Sequence, residues 1–182
     1  FENYNAHMIT NAYLLDKAKS QKLKELKISA IQVTIDGLEK VHNERRPHKQ
    51  NNDSFQRIVH NLDDLFSVYP EISIEFRVNV DKSNQSEYHR IYNYLKERYG
   101  KYSINIHPGY VTDDFSAESN GCCFEADEVN KFVLEQYDTH NIPISLYPRP
   151  IFGECSARHI TSFVIGPEGE LYKCWNDIGI KG

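Results

Sequence analysis

Three runs in this chain alternate with a period of two, and their polar members fall where a closed sheet would hide its core. Ile31, Val33 and Ile35 alternate with Gln32, Thr34 and Asp36. Ile72, Ile74, Phe76, Val78 and Val80 alternate with Ser73, Glu75, Arg77, Asn79 and Asp81, and Tyr102, Ile104 and Ile106 alternate with Ser103, Asn105 and His107. Helical stretches with their own apolar stripes lie between the runs, so the strands are expected to be parallel, with their apolar face against the helices. The opposite face then carries Gln, Thr, Asp, Glu, Arg, Asn and His. Buried polar groups need partners, so such a face either meets water or lines a polar ligand cavity.

The order predicts an α/β chain of alternating strands and helices, a partial (β/α) TIM-like barrel of parallel strands followed by a C-terminal β-hairpin. The first strand is placed at His7 to Asn11 and a modest helix at Asp16 to Lys27, with Leu15, Ala18, Leu23 and Leu26 approximating a face. A clearer helix, capped by Asp53 or Ser54, puts Phe55, Ile58, Val59, Leu62, Leu65 and Phe66 on one side. The next runs from Ser86 to Tyr99, and a fourth from Ala126 to His140 with Val129, Phe132, Val133 and Tyr137 inward. Tyr147-Pro148-Arg149-Pro150 reads as an extended linker. Ser162 to Ile165, the turn Gly166-Pro167-Glu168-Gly169 and Glu170 to Trp175 read as a hairpin. The division expected is residues 1–143 for the barrel part and 144–182 for the linker and the start of a second module.

Composition narrows the functional classes. With 40% hydrophobic and 26% charged residues the chain is neither disordered nor membrane-embedded, and no run approaches the roughly 18 apolar residues of a span. No secretory signal pattern opens the sequence, so a cytoplasmic location is expected, without membrane association. A net charge of −5 argues against nucleic-acid binding, which needs surplus positive charge. Arg45, Arg46 and His48 read as a polar loop, solvated or able to guide an acidic peptide. The four cysteines are not a disulfide framework in that setting. Cys122-Cys123 reads as structural or incidental, since adjacent cysteines chelate one metal poorly. Cys155 and Cys174 suit a shared iron-sulfur or zinc site, although two thiolates complete neither.

The residues carry a resemblance. Val33-Thr34-Ile35-Asp36-Gly37 followed by His42, Arg45 and Arg46 is similar to the fourth-strand segment of radical S-adenosylmethionine (SAM) enzymes that modify peptides, including anaerobic sulfatase-maturating enzymes. Thr10-Asn11-Ala12 resembles the Thr-Asn-Gly ending of their third strand. Phe163-Val164-Ile165, Gly169, Leu171-Tyr172-Lys173 and Cys174-Trp175 resemble the opening of the SPASM extension, which holds auxiliary iron-sulfur clusters. The resemblance implies that Thr34 and Asp36 sit near the SAM ribose or methionine portion, that Arg77 and Asn79 sit near its carboxylate, and that Cys155 and Cys174 are auxiliary-cluster ligands. His107, before Pro108-Gly109 at a strand end, is a further candidate for the cofactor face, or a satisfied strand-end histidine. A zwitterionic methionine tail does need a cation, a carboxylate and hydroxyl or amide partners, and an arginine fork suits a carboxylate. The other reading of these polar residues is an internal network, with Glu75 pairing Arg77.

The chain has no Cys-x-x-x-Cys-x-x-Cys and no Gly-Gly-Glu, both of which the family uses to bind the SAM-cleaving cluster and SAM. The resemblance therefore implies an internal fragment of a larger enzyme, a truncated SPASM module, and no catalytic activity for the fragment alone. SAM and 4Fe-4S clusters are expected in the parent, with none bound to the fragment, and the partner expected is a peptide or protein substrate. No catalytic acid or base is readable. An unpaired first-strand edge further predicts self-association. The alternatives are a non-catalytic half-barrel that binds a peptide or nucleotide, and a hydrolytic barrel fragment using Asp36, Glu75 and His107.

Overall fold

The computed structural model describes residues 6–49, 53–111, 122–144, 155–174 and 177–179. The expected linker Tyr147-Pro148-Arg149-Pro150 and Trp175 lie outside the described residues. The chain divides into two compact units, residues 1–146 and 147–182.

In the first unit, alternation becomes a parallel sheet of β1 (Ala6–Thr10), β2 (Ile28–Ile35), β3 (Ser73–Val80) and β4 (Ile104–Tyr110), in the order β1-β2-β3-β4. Parallel neighbours require crossovers, and helices supply them: α1 (Lys17–Glu25), the short α2 (Glu39–Arg45) with α3 (Phe55–Val68), and α4 (Tyr88–Tyr99, entered through a 3-10 turn at Gln85–Glu87), while α5 (Ala126–His140) follows β4. The apolar members of β2 and β3 join the stripes of α3, α4 and α5 in one buried cluster, with Ile31, Val33, Ile35, Ile74 and Phe76 essentially inaccessible. The sheet thus has one covered face and one open, polar face. This is the α/β arrangement expected from the sequence.

Several local expectations are corrected. The first strand is Ala6–Thr10, one residue earlier than placed. In α1 the inward residues are Ser20 and Leu23, whereas Ala18 and Leu26 are exposed. In α5 Gln136 is buried and Tyr137 is exposed, because Tyr137 lies about 80° around the helix from Val129, off the centre of the buried stripe. Arg45 ends helix α2 and Arg46 caps it, so neither belongs to a solvated loop. β4 continues through Pro108 to Tyr110, which places His107 in mid-strand and not at a strand end. The missing N–H of Pro108 is tolerated because β4 is an edge strand among the described residues.

The start of α3 shows how α2 and α3 are joined. Ser54 occupies the cap position without a capping side chain. Asn43 of α2 supplies the acceptor instead, its Oδ1 receiving the N–H groups of Ser54 and Phe55 at 3.0 Å each, while Asp53 Oδ1 receives that of Gln56 at 3.3 Å. Asn43→Ala is therefore expected to lower stability by about 1–2 kcal/mol in urea titration. A loss below about 0.5 kcal/mol would show that the helix end is satisfied by water.

In the second unit the expected hairpin is present as β5 (Val164–Ile165) and β6 (Leu171–Tyr172), antiparallel, with Val164 opposite Tyr172. Gly169 takes φ +91°, a conformation that favours glycine, and its N–H reaches the Gly166 carbonyl at 3.1 Å.

Candidate functional site

The open face of the sheet is built in rows by parallel register. Gln32, Glu75 and Asn105 form one row, and Thr34, Arg77 and His107 the next. Asn79 beside Gly109 follows toward the C-terminal ends of the strands. Thr34, Asn79 and His107 are half-buried and Arg77 is exposed, so four of the five residues expected at a cofactor site share one accessible face.

Arg77 is central. Its Nε donates to Asn79 Oδ1 at 3.2 Å, and among the described residues no carboxylate lies within ion-pair distance of its guanidinium. Glu75 turns instead toward His107, with Oε1 at 3.4 Å from Nδ1, close enough for attraction but without hydrogen-bond geometry. Burial holds His107 below the usual histidine range; Glu75 opposes that shift and Arg77 reinforces it. The expected alternative of a Glu75–Arg77 pair is therefore not what forms.

Gly109 makes the Arg77 arrangement possible. A Cβ there would collide with Arg77 Nε and lie 2.9 Å from Asn79 Oδ1. A glycine inside a strand signals such close approach, and reading Pro108-Gly109 as a strand end hid the signal.

Asp36, the fifth expected residue, stands apart. It is 4% exposed at the end of β2, with Oδ2 accepting from Arg46 Nε at 2.7 Å and lying 3.6 Å from Arg45 Nε, while Oδ1 is buried without a hydrogen bond among the described residues. Arg45 Nη1 also donates to Asp81 Oδ2 at 2.7 Å. Burial acts to raise the Asp81 carboxyl, but hydrogen bonds from Ser83 and Arg45 outweigh it and hold the carboxyl below its ordinary value. Asn84 closes the cluster by donating to the carbonyls of Asp36 and Asn79 at 2.9 Å each and accepting from Asp81 N–H at 2.8 Å. Asp36, Arg45, Arg46, Asp81 and Asn84 thus form a latch across the C-terminal ends of β2 and β3.

Inside that latch lies His42, wholly buried, whose Nδ1 accepts the Asp36 N–H at 3.2 Å. Nδ1 is then unprotonated and Nε2 carries the hydrogen, buried and without a partner among the described residues. Desolvation pushes this imidazole down to about 4, against the pull of Asp36 and with help from Arg46.

Cys155 is exposed and Cys174 half-exposed, and both are thiols in the second unit. Among the described residues no group of three or more His, Cys, Asp or Glu could hold a metal ion, and no helix is long and apolar enough to cross a membrane.

No family model and no curated protein matches the chain. Solved structures do. Over 72% of this chain and 36% of the other, it resembles anSMEcpe with bound AdoMet and the Cp18Cys peptide, with a TM-score of 0.61 and 18% identity. Against anSMEcpe with bound AdoMet and the Kp18Cys peptide the TM-score is 0.57 at 20% identity, over 72% of this chain and 35% of that one. The chain spans about a third of the length of these proteins. The comparison protein is an anaerobic sulfatase-maturating enzyme of the radical SAM class, and the chain has the fold of part of such a barrel.

Proposed function

We propose that the chain is part of a radical SAM enzyme that modifies a peptide or protein, and that the open sheet face lines its SAM pocket. The observation that carries this reading is Arg77, a guanidinium without a carboxylate partner among the described residues, lying over a side-chain-free Gly109 at the centre of a polar face. A methionine tail would bring the missing carboxylate, which a planar fork binds better than an ammonium does. Asn79 orients the fork through Nε, and Thr34, in register with Arg77, offers a hydroxyl. His107 can hold a proton at Nδ1 opposite Glu75. Asp36 belongs to this reading as the anchor of its end of β2.

Bound beside a 4Fe-4S cluster, SAM would supply the radical chemistry that removes hydrogen from a substrate. The 182 residues contain no Cys-x-x-x-Cys-x-x-Cys, so in this reading the cluster ligands come from elsewhere in a larger enzyme. Cys155 and Cys174, flanking the β5–β6 hairpin, are read as the first thiolates of an auxiliary cluster in that enzyme.

The test is made on the protein encoded by the complete reading frame, reconstituted with iron and sulfide under anaerobic conditions and reduced with dithionite. Methionine release from SAM is expected, and Arg77→Ala should weaken SAM binding about tenfold or more, with Arg77→Lys between. Absence of methionine, or unchanged SAM affinity in Arg77→Ala, would overturn the reading.

A further inference from the structure

Cys122 and Cys123 lie where the chain enters α5, and their sulfurs are 3.8 Å apart. The pair is tied to the C-terminal ends of two strands. The Cys122 carbonyl accepts from the Lys82 N–H at 3.0 Å, just beyond β3, and the Phe124 N–H reaches the Val111 carbonyl at 3.2 Å, just beyond β4. This is the end of a parallel α/β sheet at which ligands are bound.

The separation, within hydrogen-bond distance for two thiols, bears on two chemistries. A disulfide needs its sulfurs at about 2.05 Å and its Cα atoms about 4.4–6.8 Å apart, whereas neighbours across a trans peptide are held at about 3.8 Å. Closing a bridge would strain the ring. A tetrahedral ion with metal–thiolate bonds of about 2.3 Å instead holds two sulfurs about 3.8 Å apart. The two side chains therefore already span one edge of such a site, which adjacency in sequence alone would not suggest.

The surroundings are charged. Lys82 lies within electrostatic range of Cys123 while its Nζ pairs with Glu128 Oε2 at 2.8 Å. Both cysteines also stand just before the 15-residue helix α5, whose cap residue is Glu125. Cys122 is exposed, so an ion has direct access.

We propose that Cys122 and Cys123 form a two-thiolate site for a thiophilic divalent ion of the zinc and cadmium class, with its other positions filled by water or a small ligand. Binding breaks two S–H bonds, forms two metal–sulfur bonds and releases two protons, with no change in oxidation state. The site is independent of the SAM reading.

Cadmium titration of the whole chain tests it, in a Cys155→Ser, Cys174→Ser background that removes the other two thiols and in a phosphine reductant free of thiols. A sulfur-to-cadmium charge-transfer band is expected to saturate at one ion per chain with release of two protons. Adding either Cys122→Ser or Cys123→Ser should weaken binding by ~10-fold or more, since even outer groups around a metal are worth that much. Absence of the band in the background protein, or an unchanged titration after either added substitution, overturns the site.

Discussion

Acidification from about pH 7 to about pH 4 is expected to remove about 3 kcal/mol of folding stability through one side chain, His42. Its imidazole is wholly buried and held at about 4 in the folded protein, against an ordinary value of 6.5. Between those values the unfolded chain binds a proton that the folded chain refuses, so stability rises with pH across the window. The contribution is complete above the unfolded value and is lost as pH falls, at about 1.4 kcal/mol per pH unit. Geometry gives the same sign. A proton on Nδ1 would meet the Asp36 N–H that this atom now accepts, and would place a charge beside Arg46 in a site closed to water. Asp36 attracts the imidazolium, but desolvation is the larger effect. His42→Gln keeps an acceptor and removes the titration. Urea midpoints between about pH 7 and pH 5, above the range of most carboxylates, should therefore fall more steeply in the wild type than in the variant. Parallel curves would show that water reaches the ring.

His42 also shows what the sequence left illegible. The sheet could be read because alternation is local: each of β2, β3 and β4 displays its two faces in its own residues, and intervening helices dictate parallel pairing. Helix α2 has seven residues and lacks a long apolar stripe, so Arg45 reads with Arg46 and His48 as a polar loop, and nothing local marks His42 as the wholly buried residue of a helix. The rows of the site followed from strand parity plus register, which brought Thr34, Arg77 and His107 side by side. Asp36 has the same parity as Thr34, yet it leaves the face because β2 ends at Ile35 and the chain turns through Gly37. The latch was invisible for a different reason. Asn84 meets the Asp36 carbonyl across 48 positions of sequence, and no pattern in either segment announces the other.

Asn84→Ala and Phe76→Ala should both destabilise the first unit strongly, and they should do so in different places. Phe76 is wholly buried on β3 and stacks on Tyr99 with centroids 5.8 Å apart, so truncation opens a cavity beneath the sheet at about 3–5 kcal/mol. Asn84 is 5% exposed, and its loss strands the carbonyls of Asp36 and Asn79 and the N–H of Asp81, at about 2–4 kcal/mol. The cavity weakens a core shared by all the strands, so amide exchange in Phe76→Ala should rise throughout β2 and β3. Loss of the latch frees only their C-terminal ends. In Asn84→Ala, protection should collapse at Ile35, Asp36, Val80 and Asp81 and persist at Ile31 and Ile74, toward the other end of the paired strands. Thr34, Arg77 and Asn79 lie next to the freed ends, so the same variant should loosen the row that holds the candidate carboxylate-binding fork through the Asn79 carbonyl it releases. If exchange in Asn84→Ala instead rises evenly along both strands, the latch is only one more contribution to the core, and Asn84 has no positioning role.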